Sequence, residues 1–140
     1  MRDKKEKKQS VMIVGCGQLG SMLAEFLCES DKSVTVVDSN DAAFKKLSPN
    51  FGGFTICADA MDPDSLLDAG IKNTDIVLVT TDDDNVNIFV AQLAKEIFGV
   101  PQVIARLYDI KREGVYKEFG IKTICPSTLS AEAFRSEVLG

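Results

Sequence analysis

A glycine-rich stretch near the start of the chain constrains the fold more than any other feature of the sequence. Residues 11–14 are an unbroken apolar run, and residues 15–20 follow in the pattern G-x-G-x-x-G. Apolar residues then recur at helical spacing from Leu19 to Leu27. A buried strand, a glycine turn and a helix in this order are typical of the first unit of a dinucleotide-binding fold. The stretch therefore predicts that phosphates bind at the start of this helix, where backbone amides lack intrahelical partners.

The glycines of this loop have separate predicted roles. Gly15 permits the tight turn, Gly17 lets the backbone approach a pyrophosphate, and Gly20 lets the helix pack closely on the strand. The other loop residues predicted to contact a nucleotide are Gln18, Leu19 and Cys16. The helix N-terminus could lower the pKa of the Cys16 thiol, but a packing role for this side chain is the favoured interpretation.

A carboxylate follows at the distance that a dinucleotide site requires. Asp38 ends a second apolar run, Ser33–Asp38, about 18 residues beyond the last glycine of the motif. This carboxylate can accept hydrogen bonds from both ribose hydroxyls, and each charge-assisted bond contributes about 1.5–3 kcal/mol. The same charge repels a 2′-phosphate, so NADP is disfavoured. The alternative is that the glycines serve only turns and packing, beside a solvated carboxylate.

The rest of the chain alternates between strand-like and helix-like stretches. After the first strand, the predicted strands are Ser33–Asp38 and residues 54–58, 76–80, 103–107 and 122–125. The predicted helices are Gln18–Glu29 and residues 41–47, 63–70, 86–97, 114–119 and 126–139, with Asn40 and Asp62 as caps. Right-handed crossovers between such strands predict an α/β fold, a Rossmann-like doubly wound parallel sheet of six strands in the order 3-2-1-4-5-6.

Length and charge narrow the functions that the chain can have. Its 140 residues suffice for one domain with a sizeable core. We place a charged N-terminal tail at residues 1–9 and a Rossmann-type nucleotide-binding domain at residues 10–140. The net charge is −5 although the tail is rich in lysine, so the domain is acidic and nucleic acid is not an expected partner. The basic tail is either a solvated terminus or attracted to an anionic membrane leaflet.

Cysteine and histidine usage argues against a metal site. The sequence contains no histidine, and its four cysteines, at positions 16, 28, 57 and 125, show no C-x-x-C spacing. This pattern excludes the usual zinc sites and fits a reduced, cytoplasmic setting. No apolar run approaches the roughly 18 residues that would span a membrane, so we expect a cytoplasmic protein rather than a transporter.

Residues that follow the predicted strands should meet in one crevice, because ligands of such sheets bind beyond the carboxyl ends of the strands. Asp59 either caps the next turn or accepts a hydrogen bond from the amino group of adenine. Thr80 and Thr81 either offer a hydroxyl or a backbone amide to the ligand or simply end their strand. Ser39 and Ala60 complete this predicted set.

Charged and polar residues near the fourth and fifth strands extend the predicted crevice. Arg106 ends an apolar strand, and its guanidinium needs a partner. A nucleotide phosphate, a neighbouring subunit or a crevice carboxylate such as Asp82 would serve. One of residues 82–84 is expected to cap the helix that follows. Asn85 and Asn87 begin that helix and either reach a ligand or are exposed at the surface, and exposure is the favoured interpretation.

The sequence offers little support for catalysis. Without histidine it lacks the commonest general acid–base residue. Tyr108 and Tyr116 have no lysine four residues later, since those positions hold Arg112 and Gly120. No second domain remains to hold a substrate. These features indicate a nucleotide sensor rather than an enzyme, with an NAD-dependent enzyme fragment as the alternative.

A series of ordered motifs resembles one known family. They are V-M-I-V-G-C-G-Q-L-G, V-T-V-V-D, C-A-D-A, D-I-V-L-V-T-T-D-D-D-N-V-N and V-I-A-R. Together they resemble the N-terminal nucleotide-binding domain (TrkA-N or RCK-N) of Trk/Ktr-type potassium transport regulators, over about residues 9–139. The resemblance implies binding of NAD(H), or alternatively AMP, ADP or ATP. It also implies assembly as homodimers and rings beneath a membrane potassium channel or transporter, whose ion flux the nucleotide gates.

By position, the resemblance assigns residues 15, 17, 18 and 20 to the phosphate loop, Asp38 to ribose and Asp59 to adenine. It places Thr80 and Thr81 in the inner crevice and Arg106 near the phosphates or the neighbouring subunit. Members that favour ATP often carry arginine where this chain has Gln18. We therefore expect NAD(H).

Assembly and partner are further expectations. Apolar helix faces within residues 86–98 and 131–139 exceed what one sheet needs to cover, so we expect at least a dimer. The family's usual C-terminal ligand-binding domain has no counterpart in this sequence, which fits a cut at that boundary or a standalone peripheral subunit at the inner face of the membrane. Another cation transporter, such as a cation/proton exchanger, is the alternative partner.

Overall fold

The computed structural model describes residues 7–140, which contain one six-stranded parallel sheet. The strands are β1 (Ser10–Val14), β2 (Ser33–Asp38), β3 (Phe54–Cys57), β4 (Ile76–Val79), β5 (Gln102–Arg106) and β6 (Lys122–Ile124). They lie in the order β3-β2-β1-β4-β5-β6. The predicted α/β fold, a doubly wound Rossmann-like sheet in this order, is confirmed. The first six residues of the predicted N-terminal tail lie outside the described residues.

The described region contains five α-helices, of which the first four lie between strands and the fifth follows β6. They are α1 (Gln18–Glu29), α2 (Pro63–Asp68), α3 (Asp84–Gln92), α4 (Glu113–Glu118) and α5 (Pro126–Leu139). Short 3-10 turns lie at Asp41–Lys46, Ile71–Asn73 and Ile110–Arg112. The predicted longer helix over residues 86–97 is present in two parts: α3 ends at Gln92 and continues as a π turn, Leu93–Ile97, in which the Phe98 amide donates to the Leu93 carbonyl.

The predicted helix caps are confirmed. Asn40 accepts a hydrogen bond from the Ala42 amide at 3.1 Å, and Asp62 accepts one from the Asp64 amide at 3.1 Å. Such caps satisfy amides that a helix start leaves without partners. Gly70 follows α2 with a φ of 92°, a left-handed conformation that glycine adopts without strain.

Strand β1 lies at the centre of the core and is buried on both faces. Met12 and Val14 pack on one face with residues of α3 and β4, whereas Val11 and Ile13 pack on the other with α1 and β2. This alternation follows from the two-residue period of a strand. Helices α3 and α4 cover β5 and β6 on the first face.

The opposite face of β4, β5 and β6 is covered only along its border by α1. A groove of about 320 Å³ remains there, which we call the apolar groove. Its lining includes Val11, Leu19, Leu23, Leu27, Ile76, Leu78, Ile104 and Ile124, together with Thr80 and Arg106.

Helix α5 leaves the edge strand β6 without packing on its own sheet. All of its residues from 127 to 139 are exposed. They include Leu129, Phe134 and Val138, whose exposed fractions are 61%, 73% and 78%. Within residues 7–140, no helix is both long and apolar enough to cross a bilayer.

Candidate functional site

A cavity of about 440 Å³ opens beyond the carboxyl ends of β1, β2, β3 and β4, where the sequence predicts the crevice. We call it the crevice. Nine of the thirteen residues predicted to contact a nucleotide line it: Gly15, Cys16, Gly17, Asp38, Ser39, Asp59, Ala60, Thr80 and Thr81. The topology brings these residues together because parallel strands present their carboxyl ends at one edge of the sheet.

Four predicted contact residues do not line the crevice. Leu19 and Arg106 line the apolar groove instead. Gly20 is buried where α1 packs on the loop, and Gln18 lies in the first turn of α1. None of the four contributes to the cavity wall: Gln18, Leu19 and Gly20 lie in the first turn of α1, and Arg106 ends β5. That they contact a nucleotide stays a prediction.

Sequence reasoning missed part of the lining. Asn40, Ala43 and Lys46 line the crevice from the turn after β2, and Met61 and Val86 also line it. Asn40, Ala43 and Lys46 are each three residues apart, and side chains at this spacing are aligned on one side of a 3-10 turn. That spacing was the available signal.

The three motif glycines have different structural requirements. Gly15 has a φ of 106°, and a Cβ there would lie 3.1 Å from the backbone of Thr80 and Thr81. A Cβ on Gly20 would lie 1.8 Å from the Gly15 carbonyl oxygen, so only glycine lets α1 pack at this distance. A Cβ on Gly17 would meet no atom within 4 Å, and Gly17 lines the crevice. Neither packing nor backbone conformation requires a glycine at position 17.

The start of α1 faces the crevice without a side-chain cap. Its N-cap is Gly17, and among the residues that the structure describes no side chain caps it. Amides at this position carry the positive end of the helix dipole and suit an anion.

Cys16 is a packing residue of the loop. Its side chain is fully buried, and burial raises the pKa of the thiol, as does the nearby Asp38 carboxylate, against a smaller opposite effect of Lys46. The alternative of a helix N-terminus lowering this pKa is therefore wrong, because the thiol packs in the core beside α1.

Asp38 holds the loop in place. Its Oδ2 accepts a hydrogen bond from the Cys16 amide at 2.7 Å, and its Oδ1 accepts one from the Asn40 amide at 2.8 Å. A carboxylate offers about four lone-pair positions, so both oxygens can still accept a hydroxyl from the crevice. The side chain thus links the glycine loop to the turn after β2.

Asp59, Thr80 and Thr81 use several of their polar groups inside the protein. Asp59 Oδ1 accepts from the Met61 amide at 2.9 Å, which is the turn-capping alternative. The Thr80 hydroxyl is buried and lies 3.2 Å from the Val14 carbonyl and 3.1 Å from the Gly15 carbonyl, which accept its hydrogen. The Thr81 amide donates to Asn87 at 3.1 Å. The two threonines therefore shape the crevice wall with donors already engaged.

Arg106 binds the other side of this wall. Its guanidinium donates to the Thr80 carbonyl at 2.9 Å and to the Thr81 carbonyl at 3.3 Å. It also pairs with Asp82 at 3.2 Å and lies 4.9 Å from the ring centre of Tyr108. The predicted carboxylate partner is therefore present, although the Asp82 side chain is 97% exposed and such an ion pair adds little stability.

Asn87 contradicts its predicted exposure. It is fully buried beneath Thr81, with Arg106 beside it, and its amide forms hydrogen bonds to both residues. Asn85 is exposed as predicted, and its Oδ1 accepts from Arg112. The predicted aspartate cap of this helix is Asp83, which accepts from the Asn85 amide at 2.8 Å.

The crevice is predominantly acidic. Asp38, Asp59, Asp82 and Asp83 line it, and Lys46 is the one cation among the described lining residues. In residues 7–140, no group of three or more cysteine and carboxylate side chains is arranged to hold a metal ion.

Comparison with known sequences gives a family and a set of relatives. The sequence model of the TrkA-N domain matches residues 11–126. The Trk system potassium uptake protein TrkA of Streptomyces coelicolor is 36% identical over 129 residues. The match covers 92% of this chain and 58% of that relative, so the chain spans less than two thirds of the relative's length.

Solved structures share the fold. The TrkA-N domain of the inner membrane protein ybaL from Escherichia coli superimposes with a TM-score of 0.83 at 18% identity, covering 96% of this chain and 98% of that chain. The GsuK channel bound to NAD superimposes with a TM-score of 0.78 at 22% identity, covering 91% of this chain and 23% of that one. Identities at this level establish the fold alone.

Proposed function

The chain belongs to the TrkA-N domain family, and from this premise we propose that it is a regulatory nucleotide-binding domain of a potassium uptake or channel system. One observation carries the proposal. The crevice combines an uncapped helix start, the open side of Gly17 and the Asp38 carboxylate within one cavity. Phosphates suit the first feature, close backbone approach suits the second, and ribose hydroxyls suit the third.

We propose NAD(H) as the ligand, with AMP, ADP or ATP as alternatives. Four carboxylates against one lysine disfavour ligands with many negative charges. A dinucleotide spreads two phosphate charges, and its oxidised nicotinamide ring is positive, which suits a crevice with Asp82 and Asp83 at its rim. A triphosphate concentrates more charge, and Gln18 offers no compensating cation. Solved structures that share this fold include GsuK bound to NAD, GsuK bound to ADP and a Kef C-terminal domain bound to AMP, which supports an adenine nucleotide as the ligand class.

We assign the domain a regulatory and not a catalytic role. The curated relative is named as a potassium uptake protein, and the sequence contains no histidine. In this proposal the domain lies at the cytoplasmic side of the membrane. There it contacts a membrane-embedded potassium transporter, whose ion flux depends on the nucleotide bound.

We further propose that two copies associate by exchanging helix α5. The apolar groove lies on the sheet face beside β6, and α5 begins two residues after that strand with its apolar side chains exposed. Phe134 and Val138, one turn apart, form an apolar stripe that stays exposed in the structure of residues 7–140. Each copy therefore offers both halves of a reciprocal interface, as a two-fold dimer requires.

Calorimetry on the purified chain tests the nucleotide site. We expect NAD(H) to bind and NADP to bind at least about tenfold more weakly, because Asp38 repels a 2′-phosphate. Asp38→Asn removes this charge and should weaken NAD(H) binding by about tenfold or more.

Asp75→Asn is the matched control. Asp75 also accepts two hydrogen bonds, both from Ser10, which hold the pKa of its carboxyl below the ordinary value. It lies at the opposite end of the sheet, so this variant should lose some stability and keep its affinity. The proposal is wrong if the folded chain binds none of these nucleotides at about 1 mM.

A further inference from the structure

A buried amide supports the crevice wall without lining the crevice. Asn87 Oδ1 accepts hydrogen bonds from the Thr81 amide at 3.1 Å and from the Thr81 hydroxyl. Its Nδ2 donates to the Thr81 carbonyl at 3.1 Å and to the Arg106 carbonyl at 3.0 Å. A side-chain amide has two donor hydrogens and one oxygen with two lone pairs. Every position of the Asn87 amide is therefore used, and Asn87 is fully buried.

Asn87, Thr81 and Arg106 form a closed hydrogen-bond network. The Asn87 amide bonds to Thr81 and to the Arg106 carbonyl. The Arg106 guanidinium in turn donates to the carbonyls of Thr81 and its neighbour Thr80. The network joins α3 to the ends of β4 and β5. Because the Thr81 amide and carbonyl are both bonded to one side chain, the backbone there has little freedom to move.

The fixed segment faces the glycine loop across a narrow gap. A Cβ built on Gly15 would lie 3.1 Å from the Thr80 carbonyl carbon and 3.1 Å from the Thr81 nitrogen. The Thr80 amide donates to the Val14 carbonyl at 2.8 Å, and the Thr80 hydroxyl lies 3.1 Å from the Gly15 carbonyl, which accepts its hydrogen. A displacement of residues 80–81 would therefore break these bonds or move the glycine loop with it. The position of this segment sets the shape offered to a nucleotide.

We propose that Asn87 is a positioning residue of the nucleotide site: it fixes residues 80–81, and so sets nucleotide affinity, without touching the ligand. The proposal rests on the proposed function, since it concerns the same crevice. Aspartate in this position has nearly the same shape but no amide hydrogens. As a carboxylate it would face the carbonyl oxygens of Thr81 and Arg106, and repulsion would displace the segment.

Protonation gives the test a readout that a loss of packing would not produce. Burial and the two carbonyl oxygens favour the neutral form of the Asn87→Asp side chain, which can donate one hydrogen bond. The charged groups near it are the Arg106 guanidinium on β5, Asp83 and Asp84 at the start of α3, and Asp82 before it. Lowering the pH should therefore restore part of the network and part of the affinity.

The experiment measures NAD(H) affinity by calorimetry at pH 8 and pH 5.5 for the wild type, Asn87→Asp and Asn85→Asp. Asn85 is exposed on the same helix turn, so Asn85→Asp adds the same charge outside the network. We expect Asn87→Asp to bind at least about tenfold more weakly than wild type at pH 8 and within about threefold at pH 5.5. Asn85→Asp should stay within about twofold at both values.

A second measurement uses the unaltered chain. In nitrogen-15 spectra, saturation with NAD⁺ should shift the side-chain amide signal of Asn87 and leave that of Asn85 in place. If Asn87→Asp folds and binds like wild type at pH 8, or loses affinity equally at both pH values, the positioning role is refuted. If Asn87→Asp does not fold, the wild-type spectra decide: the positioning role is refuted when the Asn87 signal does not shift on saturation with NAD⁺. A wild type that binds no nucleotide refutes the proposed function, and the positioning role with it. A wild type that binds NAD(H) while Asn87→Asp also binds like wild type refutes the positioning role alone.

Discussion

Single atoms decide which motif glycines can be replaced. Gly20 has no room for a methyl group, because the Gly15 carbonyl oxygen occupies the place of its Cβ at 1.8 Å. This oxygen belongs to the backbone and cannot rotate away. Gly17 adopts an ordinary φ of −82° and has open space on its side-chain position. The same motif thus contains one glycine that the fold requires and one that only a ligand would require.

Gly20→Ala should therefore lower the free energy of unfolding by about 3 kcal/mol or more, or prevent folding. Gly17→Ala should change it by less than about 0.5 kcal/mol and weaken NAD(H) binding by about tenfold, because the new methyl group occupies the space for the phosphates. Urea unfolding and calorimetry on the two variants measure both effects. A Gly17→Ala variant with unchanged affinity would contradict the phosphate assignment.

Hydrogen bonds between secondary-structure elements hold the start of α3. The buried Tyr116 hydroxyl, on α4, donates to the Asp84 carbonyl at 3.1 Å. The Asp84 carboxylate accepts from the amides of Tyr108 and Asp109 at 2.8 and 2.9 Å. The segment after β5 and helix α4 are therefore both joined to the helix that carries Asn87. Burial, and to a smaller degree the Asp84 charge, raises the pKa of Tyr116 to about 12.

This shift predicts how stability depends on alkaline pH. Below about pH 10 tyrosine is protonated in both states, so the contribution of Tyr116 is fully present. Between about pH 10 and 12 the unfolded chain releases the proton first, so the free energy of unfolding falls as the pH rises. Tyr116→Phe should be less stable by about 1 kcal/mol at pH 8, from the lost hydrogen bond.

The variant should also show a shallower fall above pH 10. Urea unfolding at pH 8, 10 and 11.5 measures the two slopes. Equal slopes for wild type and Tyr116→Phe would show that Tyr116 titrates alike in the folded and unfolded chains.

At the scale of the whole molecule, the sheet is covered unequally on its two faces. Helices α3 and α4 cover β5 and β6 on one face, whereas the apolar groove stays open on the other. In the proposed dimer, the exposed apolar side chains of α5 from one copy would cover the groove of the other. The crevice and the groove also share Thr80, and Arg106 lines the groove while it holds the crevice wall. A copy seated in the groove would therefore contact residues that support the nucleotide site.

The exchange of α5 predicts a dimer that depends on both surfaces. Phe134→Ser combined with Val138→Ser, and separately Ile124→Ser in the groove, should shift the chain towards the monomer in light scattering. Burial of two such side chains contributes about 1.5–3 kcal/mol each, so a tenfold or greater rise in the dissociation constant is expected. Glu132→Ala, on another side of α5, is the control and should keep the wild-type mass. The exchange of α5 would be contradicted if the wild type is a monomer at working concentration, or if neither the α5 variant nor Ile124→Ser weakens the dimer.

The sequence by itself predicts the sheet order, the first βαβ unit, the caps at Asn40 and Asp62, and a cap from one of residues 82–84, which the structure identifies as Asp83. It also predicts that Asp38, Asp59 and Thr80 lie at the same edge of the sheet. Strand and helix periods and cap residues are recognised from residues close together in the sequence. The sheet order then follows from the general preference for right-handed crossovers.

Only the tertiary structure decides where Arg106 and Asn87 act. Asn87 lies in the first turn of a helix whose local pattern favours an exposed amide, yet the helix packs so that this amide contacts Thr81, just after β4, and Arg106, on β5. A buried polar side chain is placed by the partners that satisfy its hydrogen bonds, and here those partners are Thr81, after β4, and Arg106, at the end of β5. Sequence periodicity records which face of an element is apolar, and it carries no information on which distant carbonyl a polar side chain will find.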